Sequence, residues 1–124
     1  MKVLHLADLH LGVENYGRLD PATGLNSRLA DFLRCLDFAL DHAIWAGVEL
    51  VVIAGDIYRN REPNPTVQRE FAERIQRLVR EHIPVVMVVG NHDLPSMSAK
   101  ATSVSVFSTL SILAVIKPSP CSVL

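Results

Sequence analysis

The sequence predicts an α/β fold, a β-α-β-α-β arrangement with a mostly parallel sheet and flanking helices. Three short runs, Lys2–Ala7, Leu50–Ala54 and Val85–Val89, are apolar nearly throughout. The two stretches between them repeat apolar residues every three or four positions. Each apolar run ends in a cluster of polar residues. Continuous apolar strands joined by helices suit parallel pairing, which needs long crossovers and buries both sheet faces. Both faces are therefore expected to be covered, with right-handed crossovers.

The elements follow in order. Lys2–Ala7 reads as a buried strand, and residues 12–24 as a loop holding Gly12, Gly17, Pro21 and Gly24. Asn26 or Ser27 can cap a helix carrying Leu29, Phe32, Leu33, Leu36, Ala39, Leu40 and Ala43, and Gly47 supplies its stop. Glu49 precedes the second strand. After a loop with Pro63 and Pro65, Thr66 is expected to cap a helix running to about Glu81, with Val67, Phe71, Ile75 and Leu78 on one face. Pro84 opens the third strand. A third helix is expected over about Ala99 to Leu110.

Composition narrows the class of protein. The chain has 124 residues, 49% of them hydrophobic and 20% charged, which excludes a disordered chain. Six Gly and seven Pro without a period exclude collagen-like and repeat architectures. Twelve basic against thirteen acidic residues leave a net charge of −1, so a nucleic-acid partner must be argued from a local site. Cys35 and Cys121 match neither a disulfide framework nor a Cys-x-x-Cys metal site, and a reduced compartment is expected. The N-terminus runs straight into a strand without the apolar stretch of a signal peptide, and the run Leu110–Ile116 is too short to span a bilayer. A cytoplasmic protein without membrane contact is expected.

The last thirty residues differ from the rest, with two charges, Lys100 and Lys117, and eight serines. We expect the C-terminus to be an interruption of a larger fold. Residues 1–110 would form the N-terminal part of a domain, and residues 111–124 an interrupted apolar strand and tail. The segment Leu110–Ile116 is expected to lack its strand partner and to promote aggregation.

The chemistry concentrates after the strands. Asp8-Leu9-His10, Gly55-Asp56 and Gly90-Asn91-His92-Asp93 each follow one apolar run. In a parallel sheet the C-terminal strand ends share one edge, where open α/β sheets place their ligands. Carboxylate, imidazole and amide oxygen together suit a divalent metal of intermediate hardness such as manganese, iron or zinc. In an extended segment Asp8 and His10 would point the same way and share one ion. Asp56 has two oxygens and can bridge two ions. Asn91 offers a neutral carbonyl oxygen. Gly55 and Gly90 allow a sharp turn before each ligand. Each cluster alone could be a turn, but their joint placement after three buried strands favours a metal site.

Asp-x-His, Gly-Asp and Gly-Asn-His-Asp, each after a strand, resemble the calcineurin-like metallophosphoesterase superfamily. Within it, Leu6-Ala7-Asp8-Leu9-His10-Leu11-Gly12 and Ala54-Gly55-Asp56-Ile57-Tyr58 look like the nuclease branch typified by the D subunit of bacterial SbcCD, a DNA-repair exonuclease. The resemblance covers about residues 1–110. It implies half of a metallophosphoesterase sandwich and metal-dependent exo- and endonuclease hydrolysis of DNA phosphodiesters. Asp8 and His10 would bind one metal, Asp56 would bridge two, and Asn91 would bind the second. His92 would be the catalytic histidine near the scissile phosphate, with Asp93 orienting it. The implied cofactors are two divalent ions, typically manganese. The implied partners are DNA, a coiled-coil ATPase subunit and a second copy in a homodimer. A metallophosphoesterase for a small phosphate ester, or an inactive nuclease fragment, is the alternative.

The chain also departs from that pattern. The family completes its site with further downstream histidines, whereas His5, His42 and His82 all precede residue 90. The second metal site is expected to be incomplete, and catalysis by this chain alone weak or absent. Arg59 stands where some relatives carry histidine, and could hold a phosphate bidentately. Other residues have plainer expectations. His5 is expected in the core or at the sheet edge, and His42 and His82 near helix C-termini. Arg69, Arg77 and Arg80 are expected on a solvated helix face, Trp45 packed beside Gly47, and Cys35 buried.

Overall fold

The computed structural model describes residues 1–12, 17–60 and 62–88, and the backbone of a strand at 113–116. In chain order the elements are β1 (Val3–Ala7), α1 (Ser27–Ala46), β2 (Leu50–Ala54), α2 (Pro65–Arg80), β3 (Val85–Val88) and β4 (Leu113–Ile116). All four strands are parallel and lie in the order β1-β2-β3-β4. The predicted β-α-β-α-β architecture is thus present. The third helix expected over 99–110, and the motif at 90–93, lie outside the described residues.

Register explains the core. Leu4 pairs with Val51, and Val51 with Val85; two residues on, Leu6 pairs with Ile53, and Ile53 with Met87. Alternate residues share a face, so these six point one way. Val51, Ile53, Val85 and Met87 are fully buried there against Leu29, Leu33, Leu36 and Leu40 of α1 and Val67, Phe71, Ile75 and Leu78 of α2. The opposite face carries Val3, His5, Ala7, Val52 and Val86, which are exposed or half-buried. The cover expected on two faces is met on one among the described residues. His5 lies on an edge strand, as expected.

The helix ends are set by side chains. The Asn26 carboxamide oxygen accepts from the Arg28 N–H at 2.9 Å and caps α1. Gly47 closes α1 in the left-handed region (φ 68°), with its N–H returned to the last turn. The expected Thr66 cap of α2 is corrected to Asn64, whose side chain accepts from the Val67 N–H at 2.9 Å. Pro65 then occupies the first turn, where its missing N–H costs nothing. Between the helices Arg74 donates to Asp37 of α1 at 2.9 Å and to Glu70 at 3.1 Å, and Arg77 pairs with Asp41. Arg77 therefore joins the two helices, while Arg69 bonds its neighbour Glu70 on the solvated face.

Three further expectations are corrected. Leu113–Ile116 pairs in register with Val85–Val88, so this segment has a strand partner. Cys35 is exposed, because it falls on the side of α1 away from Leu33, Leu36 and Leu40. Trp45 is 83% exposed and tilts against His42, 5.9 Å between ring centroids, rather than packing at the helix end.

Candidate metal centre

The parallel register brings the ends of β1 and β2 level, with Ala7 opposite Ala54. Asp8-Leu9-His10 and Gly55-Asp56 therefore leave the sheet side by side. Pairing continues past the strands. The His10 N–H donates to the Asp56 carbonyl at 2.9 Å, the Leu11 N–H to Ile57 at 2.9 Å, and the Arg59 N–H to Leu11 at 2.7 Å. Leu11, Ile57 and Tyr58 are buried, and the Tyr58 ring meets Phe71 edge-on at 5.7 Å. The two loops are thus pinned to each other and to α2. The sequence motifs contain Leu11 and Tyr58 without marking them as packing anchors, although a large apolar residue one or two positions after each ligand is the available signal.

The local backbone is not extended. Asp8, His10 and Asp56 all have positive φ, at 52°, 46° and 44°. The expectation that alternation along a strand aligns Asp8 with His10 is corrected: two left-handed residues flanking Leu9 do so. Gly55 (φ 68°) precedes Asp56, so two consecutive left-handed residues fold the chain back over the strand end, and the Gly55 N–H is held by the Val88 carbonyl at 2.8 Å. A left-handed conformation costs a non-glycine residue about 1–2 kcal/mol. The surrounding bonds hold three such residues in place, a pattern typical of functional sites.

Ligand atoms of Asp8, His10 and Asp56 lie within 4.8 Å of one another. His10 Nε2 stands 4.0 Å from Asp8 Oδ1 and 3.9 Å from Asp56 Oδ2. Those gaps are too long for hydrogen bonds. They suit donors around one cation, since ligands at about 2.0–2.2 Å from an ion stand roughly 3–4 Å apart. Two carboxylates and an imidazole form a mixed set that fits manganese, iron or zinc. Asp56 is the most enclosed of the three, with a side chain 19% exposed, and Asp8 the most open at 69%. The structure thus brings together three of the expected ligands. Asn91, His92 and Asp93 lie outside the described residues. Of the remaining histidines, His5 is on β1, His42 on α1 and His82 beyond α2, all outside this cluster.

Comparison with known proteins agrees with this geometry. The family described as calcineurin-like phosphoesterase matches residues 1–121. The DNA double-strand break repair protein Mre11 of Archaeoglobus fulgidus is 35% identical over 101 residues, 82% of this chain and 21% of its own length. Proteins of the same name from Aeropyrum pernix and Halobacterium salinarum are 33% and 35% identical, over 77% and 74% of this chain and 22% of each of theirs. The chain spans about a fifth of the length of these curated relatives. With a cluster of candidate metal ligands at the strand ends and a family match over nearly its whole length, the chain belongs to the calcineurin-like phosphoesterases.

Proposed function

We propose that this chain contributes part of the active site of a metal-dependent nuclease that hydrolyses DNA phosphodiesters during repair. The observation that carries the reading is the Asp8–His10–Asp56 cluster on adjoining left-handed turns. Similarity to Mre11 proteins favours DNA over a small phosphate ester. Asp8 and His10 would hold one divalent ion, and Asp56 would share its carboxylate between two, with Asn91 on the second. Manganese is the proposed metal. When bound, such a pair supplies positive charge for the phosphate oxygens and lowers the pKa of a bound water.

The chain's own residues do the remaining work. The enclosed Asp56 orients its carboxylate through the backbone bonds at His10 and Leu11. His92, kept in place by Asp93, would donate a proton to the departing oxygen, a role suited to an imidazole near neutral pH. Arg59 is exposed just beyond Asp56 and would hold a non-reacting phosphate oxygen pair. Working partners would be DNA, a coiled-coil ATPase subunit and a second copy of the protein, in the cytoplasm. Among the described residues no helix is long and apolar enough to cross a membrane.

The test is a manganese titration of the purified chain by calorimetry, paired with hydrolysis assays on labelled duplex DNA and an aryl phosphodiester. Saturable binding that Asp56→Asn weakens at least tenfold supports the reading. Equal binding by the variant overturns it. Preference for the aryl ester in a longer protein containing this chain would favour the small-ester alternative.

A further inference from the structure

The loop that carries Asp8 also walls a cavity. About 280 Å³ of space lies between the end of β1 and α1, bounded chiefly by Asp8, Leu9, Phe32, Cys35, Leu36 and Ala39. Among the described residues Asp8 is the one charged group on its wall. The same side chain places Oδ1 4.0 Å from His10 Nε2 in the cluster of candidate metal ligands. The cavity therefore opens beside the candidate centre. Phe32 and Cys35 also line a second cavity of about 230 Å³, which adds Arg28 and Asp31. Asp31 and Cys35 line a third of about 560 Å³, which adds Arg34 and Phe38. The three form one groove from Asp8 across the outer side of α1. It is mostly apolar at the Asp8 end, and two exposed arginines, Arg28 and Arg34, stand farther along it.

We propose that the cavity beside Asp8 holds the base of an unpaired nucleotide whose phosphate lies at the Asp8–His10–Asp56 cluster. The inference rests on the nuclease reading above and gives that reading a substrate class. A strand held by its phosphate at the cluster carries a base one sugar away, and Asp8 borders both spaces. Pockets for drug-sized ligands run from about 300 to 1,000 Å³, so this smaller one suits a single flat ring system. Its wall is apolar apart from Asp8 and the Cys35 thiol, and the half-buried Phe32 supplies an aromatic surface on which a base can stack. Farther along the groove, Arg28 and Arg34 offer positive charge to the next phosphate of the strand. Arg34 already has Asp31 as a partner on its own helix, so that contact adds little and the base supplies the selectivity. A base stacked and paired within a duplex cannot enter such a cavity. The nucleotide held here must be frayed, extruded or single-stranded.

Deoxyadenosine tests the cavity without metal or phosphate. Titrated into the full, methyl-labelled chain, it should shift the Leu9, Leu36 and Ala39 methyl signals saturably, in the roughly millimolar range of so small a ligand. Deoxyribose should not. Ala39→Leu fills the cavity and keeps a good helix former, and should erase the shifts. Phe32→Leu keeps the wall apolar but removes the ring, and should weaken binding about tenfold. With manganese bound, calorimetry should show deoxyadenosine 5′-phosphate at least tenfold tighter than deoxyribose 5-phosphate. Absent shifts, or shifts that survive both substitutions, overturn the base pocket even where manganese binds. Equal affinity for the two phosphates overturns it as well. Deoxyadenosine binding with no manganese binding overturns the metal reading and this inference together.

Discussion

The backbone N–H of His10 donates to the carbonyl of Asp56 at 2.9 Å, so two candidate metal ligands from separate strands are tied through their main chains. Their side-chain atoms stay 3.9 Å apart. The bond fixes the spacing without consuming the ligand atoms. Replacing Asp56 by Asn keeps size and tolerance of positive φ but removes a charge. Manganese affinity should fall at least tenfold, and the metal-free melting temperature should change little, as read by calorimetry and thermal circular dichroism.

Phe71 should matter to the centre although it is remote in sequence. Its ring supports Tyr58, two residues beyond Asp56, and both are fully buried. Phe71→Leu should cost about 1–2 kcal/mol in urea unfolding. It should also weaken manganese binding several-fold, because the Asp56 turn loses its anchor. Unchanged binding with lowered stability would show that the turn holds without that ring.

Arg74 is the most enclosed charged link between α1 and α2, its side chain 15% exposed and shared by Asp37 and Glu70. An exposed pair is worth about 0–1 kcal/mol and breaking a buried one costs about 3–5. Arg74→Ala should fall between, at about 1–2 kcal/mol, and a double-mutant cycle with Asp37→Ala should show coupling. Purely additive losses would mean that the arginine stabilises through its stem.

His82 follows the cap of α2 with φ 57°, a position where glycine is favoured. Nothing in the candidate centre depends on it. His82→Gly should stabilise the fold by about 0.5–1 kcal/mol, whereas His82→Val should destabilise it. Paired denaturant titrations decide the sign.

The pairing of β4 with β3 reverses an expectation drawn from composition. An unpaired apolar segment would make its removal beneficial. Here deletion of residues 111–124 should strip Leu113–Ile116 from β3 and expose a new edge. Soluble yield should drop and light scattering rise.

Much of the fold is legible because its rules are local. Leu50–Ala54 between Glu49 and Gly55 can hardly be other than a buried strand, and Asn26 and Gly47 mark α1 at both ends. What escapes is decided by neighbours distant in sequence. Asn64 and Thr66 are both capable caps, and the choice depends on where Pro65 starts the turn. Cys35 and Leu36 are adjacent on one helix, and only the docking angle of α1 decides which is buried. At the centre, residue types and strand ends could be read. The left-handed turns at Asp8, His10 and Asp56 could not, since a carboxylate or imidazole does not announce its backbone angle.

The strand order β1-β2-β3-β4 has a temporal reading as well as a spatial one. Each strand docks beside the one synthesised before it, so none has to be wedged between partners already joined. During synthesis, at about 5–20 residues per second, Asp8 and His10 meet their partner turn once β2 has docked. That turn gains its Phe71 and Val88 supports only as α2 and β3 follow, so the cluster of ligands becomes rigid from the N-terminal side onward.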